Sequence, residues 1–505
     1  MSTSTLKKKF FATFKEVIWP IEKGEMRLFL PMALMMLCVL FNFAALRSLK
    51  DGLVVPEVGA EAISFLKLWL VLPSSVIFTI VYAKLSNIFS FERVFYIVIT
   101  IFLCIFLLFA YLLYPNQASY HPDAALIHKL ALHYSNLKWF IQIAGKWSYA
   151  LMYIFSELWS VVIINLMFWQ FANHIFDTAQ AKRFYPILGM VGNFGLILAG
   201  NVLMTFSDVA EVLDYTTPEY QMQCQKMLQP IILSIVFAGI AAMILFKIIN
   251  SIILKEEGFR DKFHRVTEDS KTRLSLIESI RLIMNSRYIC HIVVLVLCYG
   301  LVINLLEGPW KAKLRECYPN TIEYVNFMGQ FNIYMGIASI TFMIIGSNVL
   351  RKLSWITAAL FTPAMIFITG TIFFTFIIFA KEITIWDITV NPVFAAVIVG
   401  AIQNILSKST KYSLFDSTKE MAYIPLSLEL RTKGKATAEI IGLKFGKSLG
   451  AFVQSGIFII LPMASFNSIS FYLMIIFMIF IVIWVRSVIS LNKEYLAVCN
   501  TNHYN

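Results

Sequence analysis

Apolar runs of roughly 20 residues alternate with short polar connections along the whole chain, each run long enough to cross a hydrocarbon core of about 30 Å as a helix. They fall at 28–46, 65–85, 94–114, 148–172, 184–206 and 230–254 in the first half. In the second half they fall at 288–306, 330–350, 354–380, 392–414, 438–461 and 469–487. The pattern predicts an all-α membrane protein with about twelve transmembrane helices in two six-helix bundles, a major-facilitator-like layout. Residues 1–254 form the first bundle with an N-terminal tail, 255–287 a charged linker, and 288–505 the second bundle with a short tail.

Composition sharpens this. With 59% hydrophobic and only 14% charged residues, nothing is left over for a sizeable soluble domain. The formal charge of +12 is spread over short connections rather than gathered into a patch, which argues for membrane topology and against a nucleic-acid partner. The tail carries Lys7, Lys8, Lys9 and Lys15, and the linker is rich in Lys and Arg, whereas the connection with Asp208, Glu211, Asp214 and Glu219 is acidic. Both termini are therefore expected in the cytoplasm. The seven cysteines form no close pair, so neither a disulfide framework nor a metal site is expected, and no cofactor is implied.

A charge in mid-membrane costs at least about 2.5 to 3.5 kcal/mol, so each one needs a partner, water or a function. Lys50 and Asp51 close the first run, and Arg47, three residues before Lys50, shares its helix face; both cations could meet a polyanion or snorkel to the interface. Glu157 lies in the middle of the fourth run and must face a cavity or a cation, if only as a structural salt bridge. Glu307 and Lys311 are four apart around Pro309, which predicts a broken or kinked helix end, or merely an exposed ion pair. Lys444 and Lys447 sit among glycines in the eleventh run. The triplet Gly446, Lys447, Ser448 is not a phosphate loop, because Ile441 stands where that motif needs glycine. Asn165, Asn193, Asn304 and Gln403 either glue helices or hydrogen-bond a ligand. Several cations with fewer carboxylates imply an anionic substrate, the carboxylates acting as gates that release the lysines when phosphate arrives. A proton-coupled small-anion transporter, a membrane enzyme and a non-transporting scaffold are the competing classes; no cluster has metal-ligand or nucleophile spacing.

Long motifs then come into view. They include Ile-Trp-Pro-Ile-Glu (18–22), Leu-Arg-Ser-Leu-Lys-Asp-Gly-Leu-Val-Val (46–55), Phe-Trp-Gln-Phe-Ala-Asn (168–173), Asn-Leu-Leu-Glu-Gly-Pro-Trp-Lys-Ala-Lys (304–313) and Tyr-Ser-Leu-Phe-Asp-Ser-Thr-Lys-Glu-Met-Ala-Tyr-Ile-Pro (412–425). With these, nearly the whole chain resembles the ATP/ADP translocases of rickettsiae and chlamydiae and the related plastid nucleotide transporters, the rickettsial members above all. The resemblance implies exchange of host ATP for bacterial ADP across the inner membrane of an intracellular bacterium, by a protein expected to be monomeric. It also implies transport roles for Lys50, Glu157, Glu307 and Lys447, beside Arg47 and Lys311 as substrate-binding candidates. Pro309 and Leu449 depart from the usual family pattern next to these positions and bear on nucleotide preference, the alternative being a paralogue that imports GTP, CTP or UTP.

Overall fold

The computed structural model describes residues 21–22, 24–176, 178–209, 213, 217–253, 286–379, 383–385, 388–426 and 444–503. The N-terminal tail up to residue 20, nearly all of the linker and the start of the eleventh run lie outside the described residues. Among the described residues, eleven helices are long and apolar enough to span a membrane, and a twelfth is shorter. In chain order the first six are α1 (Met26–Glu57), α2 (Ala62–Ile88), α3 (Phe91–Leu113), α4 (Trp147–Ile175), α5 (Arg183–Ser207) and α6 (Glu219–Ser251). They are followed by α7 (Arg287–Cys317), α8 (Thr321–Gly346), α9 (Trp355–Phe379), α10 (Pro392–Tyr423), the shorter α11 (Lys444–Ile460) and α12 (Phe466–Val498).

In hydrocarbon every backbone group must be satisfied within its own segment, so the apolar runs become helices whatever their intrinsic propensities. Their starts are set locally. Ser286 caps α7 by accepting from the Ile289 amide at 3.4 Å, and Asn391 caps α10 by accepting from the Val393 amide at 2.9 Å, with Pro392 in the first turn. A two-stranded antiparallel hairpin, β1 (Ile383–Ile385) and β2 (Ile388–Val390), joins α9 to α10 and departs from the all-helical expectation.

Two corrections concern helix length. The first run was expected to end at 46, but α1 continues to Glu57, so Arg47, Lys50 and Asp51 lie well inside the helix; Lys50 and Asp51 are 2% and 0% exposed. Similarly α7 runs unbroken as an α-helix through Pro309 to Cys317, burying Glu307 and Lys311 in its interior. Pro309 has no amide to offer the Leu305 carbonyl, and one residue earlier Gln454 of α11 donates to the Asn304 carbonyl at 3.0 Å, holding this stretch of α7 against α11.

The halves meet at the end where α1, α7 and α11 finish. There Arg315 donates to the Pro56 carbonyl at 3.0 Å, the Phe466 amide to Glu61 at 3.2 Å, Asn136 to the Ile459 carbonyl at 2.8 Å and the Thr321 amide to the Tyr220 hydroxyl at 2.9 Å. Along the seam between α5 and α8, glycines bring backbones together. A Cβ on Gly200 would lie 2.5 Å from the Gly329 carbonyl oxygen, and one on Gly329 would lie 2.9 Å from that of Gly200.

The connection between α3 and α4 folds into short helices over this closed end. Within it, the His121 ring is 2.7 Å from the Ser148 hydroxyl. Burial, aided by the Lys146 ammonium, pushes its pKa down to about 4. The unfolded chain takes up this proton below about pH 6.5 and the folded one only near 4, so the contribution is intact above 6.5 and lost as pH falls towards 4. His121→Asn should therefore lose less stability than the parent between pH 6.5 and 4. Thermal unfolding in detergent across that range checks it; parallel curves would show that His121 is not responsible.

Candidate functional site

The charged side chains from the membrane helices gather at the junction of the two halves. Asp51 of α1 has the Lys50 ammonium at 2.8 Å on one carboxylate oxygen and the Lys311 ammonium of α7 at 2.9 Å on the other. Lys50 also reaches Glu157 of α4 at 3.0 Å and stands 3.9 Å above the Tyr153 ring. Glu307 of α7 gathers three cations: Arg47 of α1 at 2.8 Å, Lys408 of α10 at 3.1 Å and Lys67 of α2 at 3.4 Å. Arg47–Glu307, Lys67–Glu307 and Lys311–Asp51 all join one half to the other.

Most of the residues singled out from the sequence thus have a place. Arg47 and Lys50 do not share one partner; they serve Glu307 and Asp51–Glu157 respectively. Glu157 does face a cation. Glu307 and Lys311 are not paired with each other; each turns to the other half. Lys447 on α11 is exposed and belongs to no salt bridge among the described residues, yet it interacts electrostatically with Glu157, Glu307 and Arg47. Exposure beside such partners places Lys447 on the side of α11 that faces the charged centre. The Lys444 side chain lies outside the described residues. Asn304 acts as glue: its amide donates to the Lys447 carbonyl at 3.0 Å and so fixes α11 against α7. Asn193 bonds its own helix at the Gly189 carbonyl, while Asn165 is exposed and Gln403 buried.

Sequence reasoning missed Lys67, Lys408 and Lys411, and left Asp51 outside the site. Lys411 forms a further pair with Asp416 at 2.7 Å. The signal was available for Lys408 and Lys411, which fall inside the apolar run at 392–414. Three of the four π-helical stretches carry or adjoin these groups: Leu66–Val71 holds Lys67, Ser160–Phe168 follows Glu157, and Lys411–Phe415 begins with Lys411. Such widened turns recur at functional sites because they re-aim side chains without breaking the helix.

Counted formally, the centre holds six cations (Arg47, Lys50, Lys67, Lys311, Lys408, Lys447) against three carboxylates (Asp51, Glu157, Glu307). This formal excess of three positive charges suits a polyanion. Among the described residues no group of His, Cys, Asp and Glu is placed to hold a metal ion.

The helices described, with a charged centre shared between the two halves, make up a major-facilitator-like fold. Solved transporter structures share this fold, among them the following two. A bacterial homologue of the iron transporter ferroportin in an inward-facing state matches with a TM-score of 0.58 at 14% identity, over 91% of this chain and 99% of its own. The xylose transporter XylE from E. coli, partially occluded and inward open, matches at 0.53 and 13%, over 93% and 97%. The family model for the TLC ATP/ADP transporter matches residues 4–495, and the chain belongs to that family: it is a transporter, not an enzyme. ADP,ATP carrier protein 3 of Rickettsia prowazekii (strain Madrid E) is 63% identical over 97% of this chain and 99% of its own length. ADP,ATP carrier protein 1 of Rickettsia bellii (strain RML369-C) is 45% identical over 99% of each.

Proposed function

We propose that this protein exchanges ATP for ADP across a bacterial inner membrane, as a monomer with both termini in the cytoplasm, by alternating access. Its halves are residues 1–254 and 288–505, joined by the cytoplasmic linker 255–287. The observation that carries the reading is the surplus of cations at the centre, in a chain whose relatives are named ADP,ATP carriers. With the N-terminus inside, the end where α1 finishes faces out, so the arrangement is closed outside and open inside.

Arg47, Lys50, Lys311 and Lys447 bind the phosphates, with Lys67 and Lys408 beside them. Glu157 and Glu307 hold these cations while the site is empty and yield them to the entering polyphosphate. This couples movement to cargo: an arriving nucleotide replaces carboxylate–lysine pairs with phosphate–lysine pairs of the same kind, and the surplus cations remain to serve the displaced carboxylates. An empty site keeps its excess positive charge, which disfavours crossing the bilayer unladen and favours strict exchange.

Uptake of labelled ATP into liposomes that carry the protein tests the reading. Uptake should depend on ADP preloaded inside and be blocked by excess ATP or ADP but not by GTP, CTP or UTP. Absence of ATP uptake together with entry of labelled GTP, CTP or UTP would instead make it an importer of other nucleotides.

A further inference from the structure

We infer that Tyr412 is the surface on which the nucleotide base stacks, an assignment that rests on the proposed nucleotide reading and deepens it. Tyr412 lies in the π-helical stretch Lys411–Phe415 of α10, four residues beyond Lys408 towards the open end. At about 1.5 Å per residue this is roughly 6 Å along the helix, about one turn from a phosphate-binding lysine. Its helix neighbours Thr410, Ser413 and Leu414 are buried, whereas Tyr412 is 42% exposed.

Lys408, four residues earlier and so on the same side of α10, reaches Glu307 in the charged centre at 3.1 Å, which puts that exposure on the interior side of the helix. The Tyr412 hydroxyl is within electrostatic reach of Arg47, on α1 of the other half, and of Tyr299 on α7, both of which line the charged centre. Four tyrosines are linked electrostatically to that centre: Tyr153, Tyr299, Tyr324 and Tyr412. The first three are buried, and Tyr299 is stacked on Phe415 at 5.0 Å. Tyr412 has no aromatic ring against it among the described residues. The Lys411 ammonium stands 4.7 Å over its ring and is itself anchored by Asp416. One side of the ring is thus occupied by a fixed cation, and the rest is presented to the cavity one turn from the phosphate cations, with the ribose to bridge the gap.

Stacking on an aromatic face tolerates any base, because every base has a π face, so Tyr412 would separate nucleotides from inorganic polyphosphate. The test is equilibrium binding of ATP, ADP and inorganic tripolyphosphate to the purified full-length protein. Tyr412→Ala should weaken ATP and ADP by roughly 5- to 150-fold, the range expected for one base–aromatic stack, and leave tripolyphosphate within about twofold. Tyr412→Trp should bind all three as the parent does, and Tyr412→Leu, which keeps bulk without a π face, should behave like the alanine variant. Lys447→Gln should weaken all three ligands together. Equal losses for ATP and tripolyphosphate in Tyr412→Ala and Tyr412→Leu, or unchanged ATP binding in both, would overturn the assignment while leaving the nucleotide reading intact. A parent protein that binds tripolyphosphate but neither nucleotide would overturn both.

Discussion

Replacing Asp51 by Asn is expected to destabilise the protein by about 3–5 kcal/mol, the cost of breaking a buried ion pair from one side. Asp51 is 0% exposed and lies between the Lys50 and Lys311 ammoniums, one from each half. Asparagine fits the space but removes the negative charge. Lys50 keeps Glu157 as a second partner, whereas Lys311 has no other ion pair among the described residues and becomes the uncompensated charge. Adding Lys311→Met to Asp51→Asn should therefore recover more than half of the loss, since removing both partners of a buried pair costs far less than removing one. Denaturation in detergent of the four proteins of this cycle measures both numbers. A single variant within about 1 kcal/mol of the parent would show that water, not Asp51, solvates Lys311.

Glu307→Gln should act on turnover in the opposite sense to binding. Glu307 touches three cations, and neutralising it adds one positive charge to a centre that already has an excess. Charge-assisted bonds of this kind are worth about 1.5–3 kcal/mol, so ATP should bind roughly 10- to 150-fold more tightly once the competing carboxylate is gone. Release then becomes the slow step, and exchange should fall by a similar factor or more, because Arg47, Lys67 and Lys408 have no carboxylate to return to. The measurements are the Kd for ATP by equilibrium binding and the exchange rate in preloaded liposomes. Weaker binding in the variant would mean that Glu307 contacts the nucleotide itself instead of competing with it.

Much of the architecture was legible because hydrocarbon leaves a sequence little choice: a run of apolar residues of the right length must be a helix. The pattern located the helices but not their ends. Runs were cut at the first charge, at Arg47 and at Glu307, on the assumption that what lies beside a membrane helix is lipid. Beside these two helices lies a polar interior, so they continue past the charges by ten residues in each case. For the same reason Glu157 could be singled out from its place in mid-run, while Lys67, at the start of the run at 65–85, was passed over. Partnership was the least legible property. Arg47 and Glu307 are 260 residues apart, and no helical spacing announces a contact made by the docking of two bundles. Within one helix the spacing misled, since Glu307 and Lys311 are correctly placed for a pair and yet each serves the opposite half.

The seam between α5 and α8 bears on how such a carrier can move at all. Helices that pack by interlocking side chains must lift them out of one another before they can tilt, and each withdrawn side chain leaves a gap through which ions could pass. Where Gly200 and Gly329 meet, the backbones touch, and the side chains of Ile333 and Met204 are seated over the two glycines. So close a backbone contact leaves few side chains to withdraw, which makes this strip the place where the halves can tilt on each other with the least unpacking. Close packing and mobility, which elsewhere oppose each other, meet here at the same two glycines.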